Sequence, residues 1–445
     1  MRDIVLTLFV LGSVPMMVYR PFVGLLFWMW LGFMNPHRLT WGFAFNFPFV
    51  QIVAIATLLG FFASREPKRV PGGAVVVLWV LFSIWVTVTT LLAMNPDLAW
   101  AEWARYMKIQ VMTLAVLMIV TSRERILWSV IVIVVSICFY GVKGGIFTLA
   151  TGGQHMVLGP RNSFISGNTE IAFAIVTTLP LLWFLRSVAV KRWQRIAIIG
   201  SFALCMIAVL GSYSRGALLA IGAMLGFLWL RTRGKLVTGA LMLAVLVAGL
   251  SFMPDKWFDR MQTIESSNFD RSAQGRINAW WFAFHLANDR PVVGGGFRAF
   301  TPEAFQKYAP EPDFFKDSHS IYFEVLGEHG YVGLLLYLLM GVAALVRASR
   351  IQTLTRDRSD LQWAANLVRM CQVSMVGYAV GGAFLGLAYF DLPYVIMALI
   401  VVTGAYVERA LKTEQPSVDA PPLPSPAASP LEPAPALATP GGPAR

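Results

Sequence analysis

Residues 73–94 read GAVVVLWVLFSIWVTVTTLLAM, an uncharged stretch whose length decides the fold. A helix rises about 1.5 Å per residue, so roughly 20 apolar residues cross the ~30 Å hydrocarbon layer of a bilayer. Hydrocarbon satisfies no backbone polar group, which leaves helices and closed barrels as the spanning structures. The run lacks the alternation of a barrel strand, so it is a helix. Working outward, comparable runs recur near 105–121, 126–149, 169–187, 196–213, 215–231, 235–253, 321–347, 370–387 and 389–407. The first 64 residues hold apolar runs at 4–18, 21–34 and 48–64, the first two separated by Tyr19-Arg20-Pro21. The expectation is an all-α polytopic membrane protein with 12 transmembrane helices, or 13 if each N-terminal run crosses separately.

Composition agrees. Of 445 residues, 57% are hydrophobic and 13% charged, against about a quarter charged in a soluble domain; mean hydropathy is +0.63. The 15 Trp and 31 Phe suit interfacial belts and packed spans. The net charge of +12 sits in short clusters between apolar runs. No platform of aromatic and basic residues points to nucleic acid as a partner. Cys138, Cys205 and Cys371 lie far apart in apolar runs and read as small core hydrophobes, without disulfide or metal-ligand spacing. No small-residue cleavage site follows the first apolar run, so it is read as a retained span. No aspartate pair for a divalent metal and no glycine-rich phosphate loop before a lysine is present, so the expected chemistry uses neither metal nor cofactor.

Basic residues occupy every second connection. One set holds Arg65, Lys68 and Arg69, then Arg123 and Arg125, then Arg186, Lys191, Arg192 and Arg195, then Arg231, Arg233 and Lys235. It continues through Arg347, Arg350, Arg356, Arg358 and Arg369 to Arg409 and Lys412. The intervening short loops hold Arg105, Lys108, Arg161 and Arg215. Positive charge marks the cytoplasmic side. Residues 254–320 then form one large periplasmic loop within a transmembrane domain of residues 1–413, and membrane lipids surround that domain. This loop is far more polar than the rest and too long for a simple connector. Within it 275–289 reads GRINAWWFAFHLAND, where Trp280, Trp281 and Phe284 make a short amphipathic helix suited to a membrane surface. Gly294-Gly295-Gly296 after Pro291 marks a turn. The Pro/Ala-rich residues 414–445 read as a disordered cytoplasmic tail.

Of five histidines, His319 and His329 flank the start of a span leaving the large loop. At helical spacing His319, Phe323, Leu326 and Gly330 share a face, placing His319 where helix meets loop. A neutral imidazole there can take a proton from a hydroxyl; a helix-start histidine bonded to backbone is the plainer reading of the residue alone. In Gly211-Ser212-Tyr213-Ser214-Arg215-Gly216, Arg215 stands close to hydrocarbon, where an arginine faces a cavity or an anion, or snorkels to headgroups. Arg276 opens the amphipathic segment, where a helix start and a guanidinium attract phosphate. Arg161 is a weaker candidate of the same kind. Glu170, Glu324 and Asp391 at outer span ends are candidates to line a polar cavity, and on a continuous helix Glu324 does not share a face with His319.

The run His319-Ser320, nine residues, Gly330, two residues, Gly333 resembles the motif of bacterial O-antigen ligases. So do Ser212 to Gly216 around Arg215, and Arg276 ahead of Trp280 and the Pro291 to Gly296 stretch. The resemblance spans roughly 70–410. Met34-Asn35-Pro36-His37-Arg38-Leu39-Thr40-Trp41-Gly42 is similar to the branch of O-glycosylation ligases associated with exosortase A systems. The resemblance implies a GT-C-like glycosyltransferase of the bacterial inner membrane, its site facing the periplasm. It would move a glycan from undecaprenyl diphosphate to an acceptor hydroxyl on lipid A core, protein or another glycan. By the same resemblance His319 activates that hydroxyl, and Arg215 and Arg276 hold the diphosphate. Two other readings stay open: a polymerase of the same superfamily joining repeat units, and a 12-span transporter, for which a midplane site and internal repeats are expected.

Overall fold

The computed structural model describes residues 1–230, 235–236, 239–240, 251, 253–255, 257–258 and 271–413. The expected run at 235–253, the start of the large loop and the 414–445 tail lie largely or wholly outside the described residues. The chain divides into two units, Met1–Val407 and Glu408–Arg445. The described helices are α1 (Arg2–Gly12), α2 (Val14–Tyr19), α3 (Pro21–Met34), α4 (Phe49–Ala63), α5 (Ala74–Leu91), α6 (Pro96–Ile119), α7 (Arg123–Ala150) and α8 (Asn168–Val188). They continue with α9 (Arg192–Gly211), α10 (Arg215–Leu230), α11 (Arg271–Asp289), α12 (Pro302–Tyr308), α13 (Ile321–Leu354), α14 (Gln362–Gly382) and α15 (Asp391–Thr413). Among the described residues there is no β-strand.

Seven described helices are long and apolar enough to cross a membrane: Arg2–Tyr19 taken across Ser13, α5, α7, α8, α9, α13 and α15. Three more are apolar but shorter: α3, α4 and α10. Two further expected runs fall in α6 and α14. The first begins upstream at Pro96 and carries Asp97, Glu102, Arg105 and Lys108 between Pro96 and Lys108, so this part of the helix is more polar than the other runs.

Close approach between helices depends on small residues. A Cβ on Gly145 would lie 2.2 Å from the Leu204 carbonyl oxygen, and one on Gly141 would lie 2.3 Å from Cys205 Sγ. These glycines seat α7 against α9. All three cysteines are buried and unpaired by disulfide, as their apolar settings imply.

The polar segment after residue 270 is folded. One face of α11 (Ala279, Phe282 and Leu286) packs with Phe305 and Tyr308 of α12 in a small core. Phe282 and Phe305 stack with centroids 4.3 Å apart. The expected amphipathic helix is therefore present. Its core face meets protein, and Ile277, Trp281 and Phe284 remain exposed.

Two expectations about the helix after this segment are corrected. His319 is not on it: α13 starts at Ile321 with Ser320 as its N-cap, and His319 has φ 42°, in the left-handed region. The helix is also not continuous, because Gly330 (φ 69°, ψ −171°) breaks the helical path. The helical-face argument that separated His319 from Glu324 falls with these two observations.

Candidate functional site

A cavity of about 230 Å³ lies where α6, α8 and α13 begin. Glu102 comes from α6, Glu170 from α8, Glu324 and Glu328 from α13, and Asp317 and His319 from the segment before α13. Arg298 and Phe300 enter from the loop after α11, and Leu387 and Tyr389 from the connection into α15. The arginine-rich connections follow the far ends of α6, α8 and α13. At about 1.5 Å rise per residue, these helices separate the two sets of groups by roughly 24 Å or more.

The segment presenting His319 is fixed by α11. Asn278 Nδ2 donates to the carbonyls of Glu311 (2.9 Å) and Phe314 (3.0 Å), and its Oδ1 accepts from the Glu311 amide (2.9 Å). Trp280 Nε1 donates to the Ser318 carbonyl (2.8 Å), and the Trp280 ring stacks on Phe323, 5.1 Å away and 9° from parallel. The backbone is thus held up to the residue before His319, and the helix that follows is anchored through the Phe323 ring. A half-buried, positive-φ residue held this way is the kind of local strain found at functional sites.

The Pro291–Gly296 turn braces the break in α13. The Gly295 amide donates to the Gly327 carbonyl, the Gly296 amide to the Glu328 carbonyl (both 2.8 Å), and the Tyr331 amide to the Pro291 carbonyl (2.9 Å). These bonds occupy groups that the break at Gly330 releases from the helix ladder. A Cβ on Gly330 would lie 2.5 Å from the Val292 carbonyl oxygen, and one on Gly294 would lie 2.7 Å from the Gly327 carbonyl oxygen. Gly294 and Gly330, one from each sequence motif, therefore serve one contact.

This contact aims two carboxylates at the cavity. Glu328 accepts from the Arg298 amide (2.8 Å) and the Tyr389 hydroxyl (2.6 Å). Glu324 accepts from the Ala388 amide (3.1 Å). At the rim Glu102 stands 3.4 Å from both Arg105 and Arg298, and the Arg105 guanidinium lies 3.8 Å over the Phe164 ring. Beneath, Phe297 packs against His329 and Tyr389, each centroid 4.9 Å away.

Burial lowers the pKa of His319. The Arg276 charge adds to the effect, nearby Asp317 opposes it, and Lys316 lowers it further. The ring is neutral at physiological pH, the form able to accept a proton. His329 is fully buried, with Nδ1 2.7 Å from Thr89 Oγ1 and its carbonyl accepting from Trp85 Nε1 at 3.0 Å. It does not line the cavity.

The other expected residues are distributed unevenly. Arg276 is half-buried and near enough to influence His319. Arg215 is the first residue of α10, half-buried and outside the cavity lining. It follows a turn fixed by Tyr213 Oη on the Gly153 carbonyl (2.6 Å) and Asn168 Nδ2 on the Ser212 carbonyl (2.8 Å). Arg161 is exposed on the turn that supplies Phe164. Glu170 and Glu324 line the cavity as expected, whereas Asp391 lines a neighbouring groove. Sequence reasoning missed Arg105, Arg298, Glu102, Glu328 and Tyr389. Arg105 carried the same signal as Arg215, an arginine within an apolar run at the less basic end. Among the described residues no group of three or more His, Cys, Asp or Glu side chains is arranged to hold a metal ion.

The fold and site define a multi-pass helical membrane protein with a polar cavity at one end of its bundle. Residues 200–338 match the O-antigen ligase family. That stretch holds Arg215, Arg276, His319, Gly330 and Gly333. Residues 1–190 match a family of unknown function, so Glu102, Arg105 and Glu170 come from that part. No curated protein matches the chain.

Proposed function

We propose that the chain is an O-antigen-ligase-like glycosyltransferase of the bacterial inner membrane. It moves a glycan from undecaprenyl diphosphate to an acceptor hydroxyl at the periplasmic face, where the large loop lies. The observation that carries this reading is a neutral, backbone-clamped His319 opening on a polar cavity, inside the stretch that matches the O-antigen ligase family. The acceptor hydroxyl gives its proton to the imidazole as its oxygen attacks the anomeric carbon. The bond from that carbon to the diphosphate oxygen breaks, and undecaprenyl diphosphate leaves with the electron pair. The imidazolium then returns its proton to water. Arg276 and Arg215 hold the diphosphate and balance the charge on the departing oxygen, a role suited to planar guanidinium groups. Arg161 supplies an outer contact to the same donor. The cavity carboxylates accept hydrogen bonds from sugar hydroxyls.

General-base catalysis contributes about 10² to 10⁴ in rate. His319→Ala in reconstituted membranes is expected to lose glycan transfer by about that factor while still binding undecaprenyl diphosphate. Wild-type transfer rates in this variant would remove His319 from the reaction.

A further inference from the structure

A second cavity, about 790 Å³, is a groove between α3, α4 and α6. Its walls are apolar: Ala54, Ile55 and Leu58 from α4, and Met107, Val111 and Met112 from α6. Ile55 and Val111 are 59% and 43% exposed, so the groove opens sideways from the bundle. In a membrane-spanning protein that side meets lipid.

One end of the groove is polar. Arg38, Arg105 and Lys108 line it, and Lys108 is exposed on the helix face that carries Arg105 one turn earlier. Deeper lie His37, 7% exposed, and Asp391, 6% exposed. His37 Nδ1 and Asp391 Oδ1 are buried and have no hydrogen-bond partner in the protein. Two such atoms left unmet cost free energy, which a ligand bearing hydroxyls removes. The combination asks for a molecule with an apolar tail, an anionic group for Lys108 and Arg105, and hydroxyls for His37 and Asp391.

We propose that this groove is a binding site for a membrane phospholipid with a phosphate-linked polyol headgroup, of which phosphatidylglycerol is the simplest. Its phosphate sits at Arg105 and Lys108, its two glycerol hydroxyls meet His37 and Asp391, and an acyl chain runs along Ile55, Leu58 and Val111. A choline headgroup offers neither hydroxyls nor net negative charge. The site lies in the part of the chain matching the family of unknown function, apart from Asp391. Arg105 and Phe164 line both this groove and the His319 cavity, so the lipid supports the wall of the cavity without being consumed.

The test is native mass spectrometry of the full chain in detergent, with phosphatidylglycerol, phosphatidylcholine and undecaprenyl phosphate as probes. Wild-type protein is expected to retain one phosphatidylglycerol under conditions that strip phosphatidylcholine. Lys108→Glu reverses one charge at the headgroup and is expected to weaken that retention about tenfold. Ala54→Trp fills the groove and is expected to do the same, with thermal unfolding reporting whether the variant is folded. His319→Ala is expected to retain the lipid fully, which separates this site from the proposed transfer chemistry. Equal retention of phosphatidylcholine overturns the proposal. So does unchanged retention in Lys108→Glu. Displacement of phosphatidylglycerol by undecaprenyl phosphate at equal concentration also overturns it and assigns the groove to a transfer substrate.

Discussion

At His319 the chemistry depends on which form of the ring exists at physiological pH. Burial and the Arg276 charge both disfavour the imidazolium, so its pKa lies below the ordinary histidine value. Transfer is expected to be retained through neutral pH and to fall on the acid side of the ordinary histidine midpoint, as the base is protonated. Removing the neighbouring cation has a definite sign. In Arg276→Gln the imidazolium becomes easier to form, and the acid limb of kcat/KM should move to higher pH. An unmoved limb would separate Arg276 from His319. His329 gives the contrasting case. It is enclosed by Phe82, Phe297 and Tyr389 and bonded to Thr89. His329→Ala removes packing and a hydrogen bond, and is expected to lower the melting temperature while leaving the pH limb in place. The His319 motif was legible as a motif, but the sequence placed its histidine on a helix. The structure puts it one residue before the N-cap, in a left-handed conformation that hydrophobic spacing does not signal.

At the scale of elements, the break in α13 organises the cavity. A continuous helix would carry Glu324 and Glu328 without the Pro291–Gly296 turn, and that turn positions the Arg298 amide on Glu328. Gly330→Ala is the sharpest probe. It places a Cβ on a φ/ψ pairing that only glycine adopts readily, which costs about 1–3 kcal/mol, and adds a 2.5 Å contact with the Val292 carbonyl oxygen. The expected result is a lower melting temperature and a larger loss in kcat than in donor affinity, because the glutamates and Arg298 shift together. Wild-type melting and turnover would show that the brace is dispensable. Asn278→Ala probes the other support. It frees the 311–314 backbone from α11 and leaves the Glu311 amide without its side-chain acceptor. Faster amide hydrogen exchange over residues 311–318, with α13 unchanged, is the expected outcome; uniform exchange across both would point to general destabilisation. These two supports explain why the motif glycines and the Trp280 region were visible in sequence and their purpose was not. Positive φ and close backbone approach are properties of the docked pair, and neither partner's sequence states what it docks against.

Over the whole molecule, apolar run length identified most of the helices, because a membrane span announces itself by composition. Run length was least informative where polar side chains enter a helix. The α6 helix extends nine residues upstream of the expected run at 105–121, and those residues bring in Glu102. The large loop was legible as a separate polar segment by its length and composition, although its internal core of Phe282, Phe305 and Tyr308 follows from pairing between α11 and α12 that no local pattern encodes. Charge alternation adds a direction that hydropathy alone does not carry. The Arg125–Glu66 pair, at 2.6 Å, ties together two of the basic connections, and the cavity gathers at the opposite ends of α6, α8 and α13. Arginine-rich ends face the cytoplasm, so the cavity end should face the periplasm. Asp313 and Asp357 are both exposed and lie before and after α13, a helix of 34 residues. The native cysteines are buried, which leaves introduced ones as the accessible thiols among described positions. In cells with a permeabilised outer membrane, Asp313→Cys should react with a membrane-impermeant maleimide at once. Asp357→Cys should react only after the inner membrane is opened. The reverse pattern would turn the protein over and put the His319 cavity on the cytoplasmic side, where the proposed transfer of a periplasmic glycan could not occur.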